Sequence, residues 1–221
     1  MLSAFNFRVI WDYMDLFLRG LWATAWISAI GLAGALLVGI IACMLRISGK
    51  KLLSAPAIAY IELIRSTPLL VQLYFFYFGL PSLGIRFTEY QTGIFALSLN
   101  SGAYMAEILR AGVQSIPGGQ IEAGIAFGLN YLQRLRHIIL PQAIGVTIPP
   151  MLGQTIVLVK DSALLSLISV FELTRASQIL TSERFMPAEG FLTVAVFYLL
   201  LYYILKSLSA WWQRHLIHRQ A

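Results

Sequence analysis

The stretch GLWATAWISAIGLAGALLVGIIACML, Gly20 to Leu45, runs for 26 residues without a charged side chain. As a helix rising 1.5 Å per residue it would be about 39 Å long, enough to cross a hydrocarbon core of about 30 Å with some tilt. A water-soluble domain has no place for such a run, and the remaining composition agrees. Hydrophobic residues make up 58% of the 221 and charged residues 12%, whereas a soluble domain carries about 25% charged residues. That charge cannot cover a water-facing surface, so a soluble globular enzyme is excluded, and so is a disordered chain. The expected fold class is all-α integral membrane, with residues 1–221 forming one transmembrane domain.

Four further spans are predicted outward from the first. They are Pro56 to Leu80, with Pro68 as a kink, then Tyr90 to Gly112, then Ile138 to Val159, and last Gly190 to Trp212, where Lys206 must snorkel to the interface. The apolar run Ala163 to Phe171 is too short to cross and is expected as a surface or re-entrant segment buried against protein. In the first span Gly31, Ala35, Gly39 and Cys43 recur every four residues. Small residues on one face let a second helix approach closely, either one of the same chain or one of a second subunit. Cys43 is the one cysteine, so it makes no intrachain disulfide and reads as a packing residue. Trp22, Trp26, Trp211 and Trp212 lie towards span ends and read as interfacial anchors. The first residues lack a basic n-region and a small-residue cleavage site, so no signal peptide is read.

Five spans put the two ends on opposite sides, and the basic residues choose between them. One set of connections holds Arg46, Lys50, Lys51, Arg110, Arg134, Arg136, Lys206, Arg214 and Arg219 against one acid, Glu122. The other holds Arg8, Arg19, Arg86, Arg175 and Arg184 against Asp12, Asp15, Glu89, Glu172, Glu183 and Glu189. Cytoplasmic loops collect Lys and Arg, so the N-terminus is expected outside and the C-terminus in the cytoplasm. The net charge of +6 is thereby explained by orientation, with no basic stripe for nucleic acid. The tail from Arg214 to Arg219 reads as part of the same signal near anionic lipid.

The longest cytoplasmic connection is SIPGGQIEAGIAFGLNYLQRLRHIILPQA, Ser115 to Ala143. Pro117, Gly118 and Gly119 break the preceding helix, and a short helix is expected from Gln120. Its apolar face would hold Ile121, Ile125 and Leu129, and its thin edge Gly124 and Gly128, where another protein's backbone could approach. Pro141 falls in the first turn of the next span, where proline is tolerated. This stretch resembles the cytoplasmic pattern E-A-A-x3-G-x9-I-x-L-P of permease subunits of bacterial ABC importers. Glu122, Ala123, Gly124, Gly128, Ile138, Leu140 and Pro141 fall at its positions, with Gly124 standing where the pattern has alanine. IELIRSTPLLVQLYFFYFGLP (Ile61 to Pro81), NSGAYMAEILRAGVQSIPGGQ (Asn100 to Gln120) and VKDSALLSLISVFELTR (Val159 to Arg175) are similar to the polar amino-acid branch of that family.

The resemblance covers about Leu16 to Leu208 and implies the type I permease fold in the bacterial inner membrane. It also implies a second permease subunit, identical or homologous, two cytoplasmic ABC ATPase subunits and an external solute-binding protein. By the same resemblance Glu122, Ala123, Gly124, Gly128 and Pro141 belong to the loop that couples to the ATPase. No G-x4-G-K-[ST] phosphate loop occurs in the chain, so ATP and Mg would be bound by the partner ATPase and this subunit would itself be non-catalytic, with no cofactor of its own.

Ionisable residues within a span need a partner or a wet cavity. Glu62 and Arg65 are three apart, as are Glu107 and Arg110, so each pair shares a helix face and can self-pair near the inner interface or join an inner gate or helix network. A zwitterionic amino acid asks for donors for its carboxylate and acceptors for its ammonium. Asn100, Tyr104, Gln154, Lys160 and Asp161 supply both and are expected either to line the solute path or to tie helices together. Two other classes compete. A secondary transporter or channel would need no ATPase, but no internal repeat is visible. A membrane enzyme would need a ligand or nucleophile set, and His137, His215 and His218 form no H-E-x-x-H pattern.

Overall fold

The computed structural model describes residues 6–217, and side chains as far as Trp211. Expectations for Trp212 and for the tail with Arg214, His215, His218 and Arg219 lie outside what it describes. Every regular element among the described residues is helical, with no strand among them. In chain order the helices are α1 Arg8–Asp12, α2 Met14–Arg46, α3 Lys51–Arg65, α4 Leu69–Tyr74, α5 Glu89–Gln114, α6 Gly118–Ala126, α7 Tyr131–Arg134, α8 Leu140–Asp161, α9 Leu173–Arg184 and α10 Pro187–Ile217. Wider π-turns at Phe75–Gly79 and Leu135–Ile139 extend α4 and lead into α8, and a 3-10 segment Ser162–Ile168 follows α8.

The core is the seam between α2 and α5. Gly31, Ala35, Gly39 and Cys43 are all buried, and their partner is α5 of the same chain. A methyl group on Gly39 would stand 2.7 Å from Met105 Cβ and 3.1 Å from the Gly102 carbonyl oxygen, so only glycine allows this approach. The hydroxyl of Ser98 donates to the Gly31 carbonyl at 3.3 Å across the seam. A capping box starts α5: the Thr88 hydroxyl accepts from Gln91 N–H and the Gln91 side chain accepts from Thr88 N–H.

Three helical stretches are long and apolar enough to cross a bilayer: Met14–Arg46, Tyr131–Ile168 and Pro187–Trp211. A fourth is the pair Lys51–Arg65 and Leu69–Leu83 if its two limbs count as one span. That pair is bent by 107°, so the break expected at Pro68 is a sharp corner between two limbs. Pro68 has no N–H to continue the helix and disfavours helical backbone at Thr67. The Gln72 side-chain amide bridges the break, donating to the carbonyls of Ile64 (2.8 Å) and Thr67 (3.0 Å) and to the Thr67 hydroxyl (2.8 Å).

The helix α5 fails on apolarity, not on length. Its polar residues Thr92, Ser98, Asn100 and Ser101 are buried inside the protein, where a helix need not be greasy on every face. By contrast α10 shows Leu192, Val196, Leu199, Leu200, Tyr203 and Ile204 on its outside, a surface that suits hydrocarbon. The short segment Ala163 to Phe171 puts Leu165, Ile168 and Val170 in the main core cluster, while Leu167 is exposed. Trp26 departs from its expected role as an anchor, since it packs on that core with its ring 5.6 Å from Tyr90. Trp22 is largely exposed.

Candidate functional site

A cavity of about 640 Å³ opens beside the break between α3 and α4. Its polar wall includes Arg65, Asn100, Tyr104, Gln154 and Asp161. Four of the five residues expected on a solute path therefore converge here from α5 and α8. Lys160 does not: it is exposed and absent from the wall, because neighbours on a helix point about 100° apart. Asn100 is buried and donates from Nδ2 to Gln72 Oε1 at 3.0 Å. Gln154 Nε2 donates to the Ser101 hydroxyl at 3.3 Å. Two of the wall residues thus also tie side chains together, Asn100 to Gln72 and Gln154 to Ser101.

Glu107 gathers three arginines. Arg110, one turn on, donates from Nε to Oε1 (3.0 Å) and from Nη2 to Oε2 (2.9 Å). Arg46 at the end of α2 reaches Oε1 at 2.9 Å, and Arg65 at the end of α3 stands 3.6 Å from Oε2. The expected Glu107–Arg110 pair forms. The expected Glu62–Arg65 pair does not: Arg65 turns to Glu107 while Glu62 is exposed. Arg46 was read only as an orientation signal. Its place here comes from the close α2–α5 seam, a contact between helices that leaves no mark in residue spacing.

The loop helix α6 differs from expectation in two ways. It ends at Ala126, so Leu129 does not continue the face of Ile121 and Ile125. The end is closed by Leu129 N–H on the Gly124 carbonyl (3.0 Å) and Gly128 N–H on the Ile125 carbonyl (2.9 Å), with Gly128 at φ +75°. Glycine is needed there because other L-residues disfavour that backbone. Gly124 offers no open edge. It is buried, and a methyl on it would stand 2.7 Å from Ile138 Cδ1 and 3.2 Å from Arg134 Cγ. What faces outward is Glu122, Ala123, Ile125, Phe127, Tyr131 and Leu132. Phe127 is 85% exposed. Pro141 lies exposed in the first turn of α8.

Glu172 was counted only among the outer acids, yet its side chain is fully buried. It caps α9, accepting from the N–H groups of Thr174 (2.8 Å) and Arg175 (2.7 Å), and it accepts from the Tyr198 hydroxyl at 3.0 Å. Burial pushes its carboxyl up to about 7, against the opposing pull of those hydrogen bonds. The available signal was an acid directly before a helical run, the position of a cap. Among the described residues no three His, Cys, Asp or Glu side chains group as metal ligands.

Comparison with known proteins agrees with this layout. The chain is 39% identical over 204 residues to the glutamine transport system permease protein GlnP of Escherichia coli strain K12, covering 91% of this chain and 93% of that one. It is 38% identical over 196 residues to the probable glutamine ABC transporter permease protein GlnM of Bacillus subtilis, covering 89% and 91%. A crystal structure of an amino acid ABC transporter with histidines superposes with a TM-score of 0.92 at 34% identity, covering 96% of this chain and 99% of that one. An inward-facing MetNI methionine ABC transporter shares the fold, with a TM-score of 0.75 at 23% identity over 93% and 98% of the two chains. The family model for the inner membrane component of binding-protein-dependent transport systems matches residues 16–220, and the chain belongs to that family.

Proposed function

We propose that this chain is the membrane-spanning subunit of an ATP-driven importer that carries a polar amino acid into the cytoplasm by alternating access. Glutamine is the leading candidate, because the relatives from Escherichia coli and Bacillus subtilis are named for it. The chain crosses the inner membrane five times, by α2, the bent α3–α4 pair, α5, α8 and α10. The count includes α5 because 26 residues make about 39 Å of helix and its polar side chains point inward. The basic residues of the connections put the N-terminus outside and the C-terminus in the cytoplasm.

The cavity gives a solute its polar partners. Asp161 accepts from the ammonium, while Asn100, Tyr104 and Gln154 meet the remaining polar atoms. A second permease subunit completes the pathway, and an external solute-binding protein delivers to it. ATP and Mg are held by two cytoplasmic ABC ATPase subunits, and this subunit hydrolyses nothing. The coupling surface is the outward face of α6 and α7, with Glu122 and Ala123 beside Ile125, Phe127, Tyr131 and Leu132. Gly124 shapes that face from within, Gly128 closes the end of α6 at φ +75°, and Pro141 sits where the face joins α8. Glu107 and its three arginines bind α2, α3 and α5 into one network.

The exposed apolar face of α6 and α7 carries the ATP-driven reading, because an ATP-independent transporter or channel has no use for it. The test is uptake of radiolabelled glutamine by the chain co-reconstituted with its ATPase, partner permease and binding protein. Uptake is expected only with ATP, and Ala123→Arg is expected to cut it by about tenfold or more by blocking close approach at the coupling face. Equal uptake without ATP would favour the secondary transporter instead.

A further inference from the structure

Arg65 belongs to two places at once. Its guanidinium is the third on the Glu107 carboxylate and the most loosely held, at 3.6 Å against 2.9 Å for both Arg46 and Arg110. Its side chain is 42% exposed, where those of Arg46 and Arg110 are 20% and 26%. It also lines the cavity, with its guanidinium carbon 5.2 Å over the ring of Tyr104, another wall residue. Arg46 and Arg110 already meet both Glu107 oxygens. A third guanidinium gains little from a carboxylate so satisfied, and it is repelled by the other two. A free carboxylate in the cavity offers it a two-bond partner of its own.

We propose that Arg65 is the residue that binds the carboxylate of the transported amino acid, leaving Glu107 as it does so. Cavity occupancy is thereby reported to the Glu107 network that holds α2, α3 and α5. Asp161, also on the wall, takes the ammonium, so the two charged ends of the solute are held by oppositely charged residues. The exchange is a side-chain movement, since Arg65 is the last residue of α3 and the break behind it is held by Gln72 and Asn100. The ligand can shift this equilibrium only by the extra affinity it has for the freed arginine. The proposal rests on the cavity being the solute site.

The two ideas separate in one experiment on the permease–ATPase complex in lipid nanodiscs, titrated calorimetrically with L-glutamine and with L-glutaminamide, which lacks the α-carboxylate. The natural complex is expected to prefer glutamine by at least about tenfold, the gain of a charge-assisted hydrogen-bonded pair. Arg65→Ala should abolish the preference by weakening glutamine alone, and Arg65→Lys should leave part of it, because charge remains without the fork. Arg46→Ala opens one Glu107 oxygen, so Glu107 should hold Arg65 more firmly and the preference should fall in part without being abolished. Undiminished preference in Arg65→Ala and Arg65→Lys, with Asp161→Asn still weakening both ligands, would overturn the role of Arg65 and leave the cavity standing. Binding untouched by Asp161→Asn and by Asn100→Ala would overturn the cavity reading and the role of Arg65 with it.

Discussion

Glu107 meets three guanidiniums at the junction of α2, α3 and α5, while Glu172 meets two backbone N–H groups and a tyrosine hydroxyl beside α9 and α10. Both carboxylates are withdrawn from water, one to 15% exposure and the other completely. At Glu107 whole charges balance whole charges. At Glu172 only dipoles face the carboxyl, and burial outweighs them. The first region is a clamp whose strength depends on the carboxylate being present. The second is a cap whose strength depends on the proton.

Removing the clamp should have the largest effect. Glu107→Ala leaves three arginines crowded and unpaired, and is expected to cost about 3 kcal/mol, the low end for breaking a buried pair because water reaches these side chains. Thermal unfolding of the detergent-solubilised chain measures it. An unchanged midpoint would mean that the arginines need no counter-charge, and the contrast with Glu172 would vanish.

Acidity should act on the second region. The folded chain keeps the Glu172 proton up to a pH of about 7, whereas an unfolded carboxyl releases it near 4.5, the group's ordinary value. The folded state therefore binds more protons between those limits, and stability is lost as pH rises through them. Between pH 5.5 and 8 the loss is expected to be about 2 kcal/mol. Unfolding midpoints of the natural chain and of Glu172→Gln across that range give the comparison. The variant should show a flatter profile, and equal slopes would assign the dependence to other groups.

Tyr198→Phe should have the smallest effect, about 1 kcal/mol for one lost hydrogen bond. It sharpens the contrast because that hydroxyl pulls the Glu172 carboxyl down. Without it the pH-dependent window should move upward, which the same unfolding series would record. A window that stays in place would mean that the hydroxyl bonds elsewhere.

The sequence revealed features that periodicity and composition encode. The 26 uncharged residues of α2, the run leading into α8 and the lipid-facing α10 all announce themselves through length and apolarity. Polar residues in otherwise apolar runs pointed to Asn100, Tyr104, Gln154 and Asp161, which do share a cavity. Contacts between helices were hidden. Spacing paired Arg65 with Glu62, while the fold gave it to Glu107 and brought in Arg46 from 61 positions before that glutamate. Spacing also made Gly124 an open edge, whereas the return of Arg134 and Ile138 over it fills that space.

The amide of Gln72 has a mechanical consequence. It stands in for the backbone bonds that Pro68 removes, and its oxygen is held by Asn100 on α5. The corner between α3 and α4 is therefore welded to the central helix, and straightening it would strip several polar atoms bare at once. At its other end α3 is joined to α2 through Ile47 to Lys50, where Gly49 stands at φ +71°. A proline or a bulky residue at Gly49 would strain that turn, because L side chains disfavour this backbone.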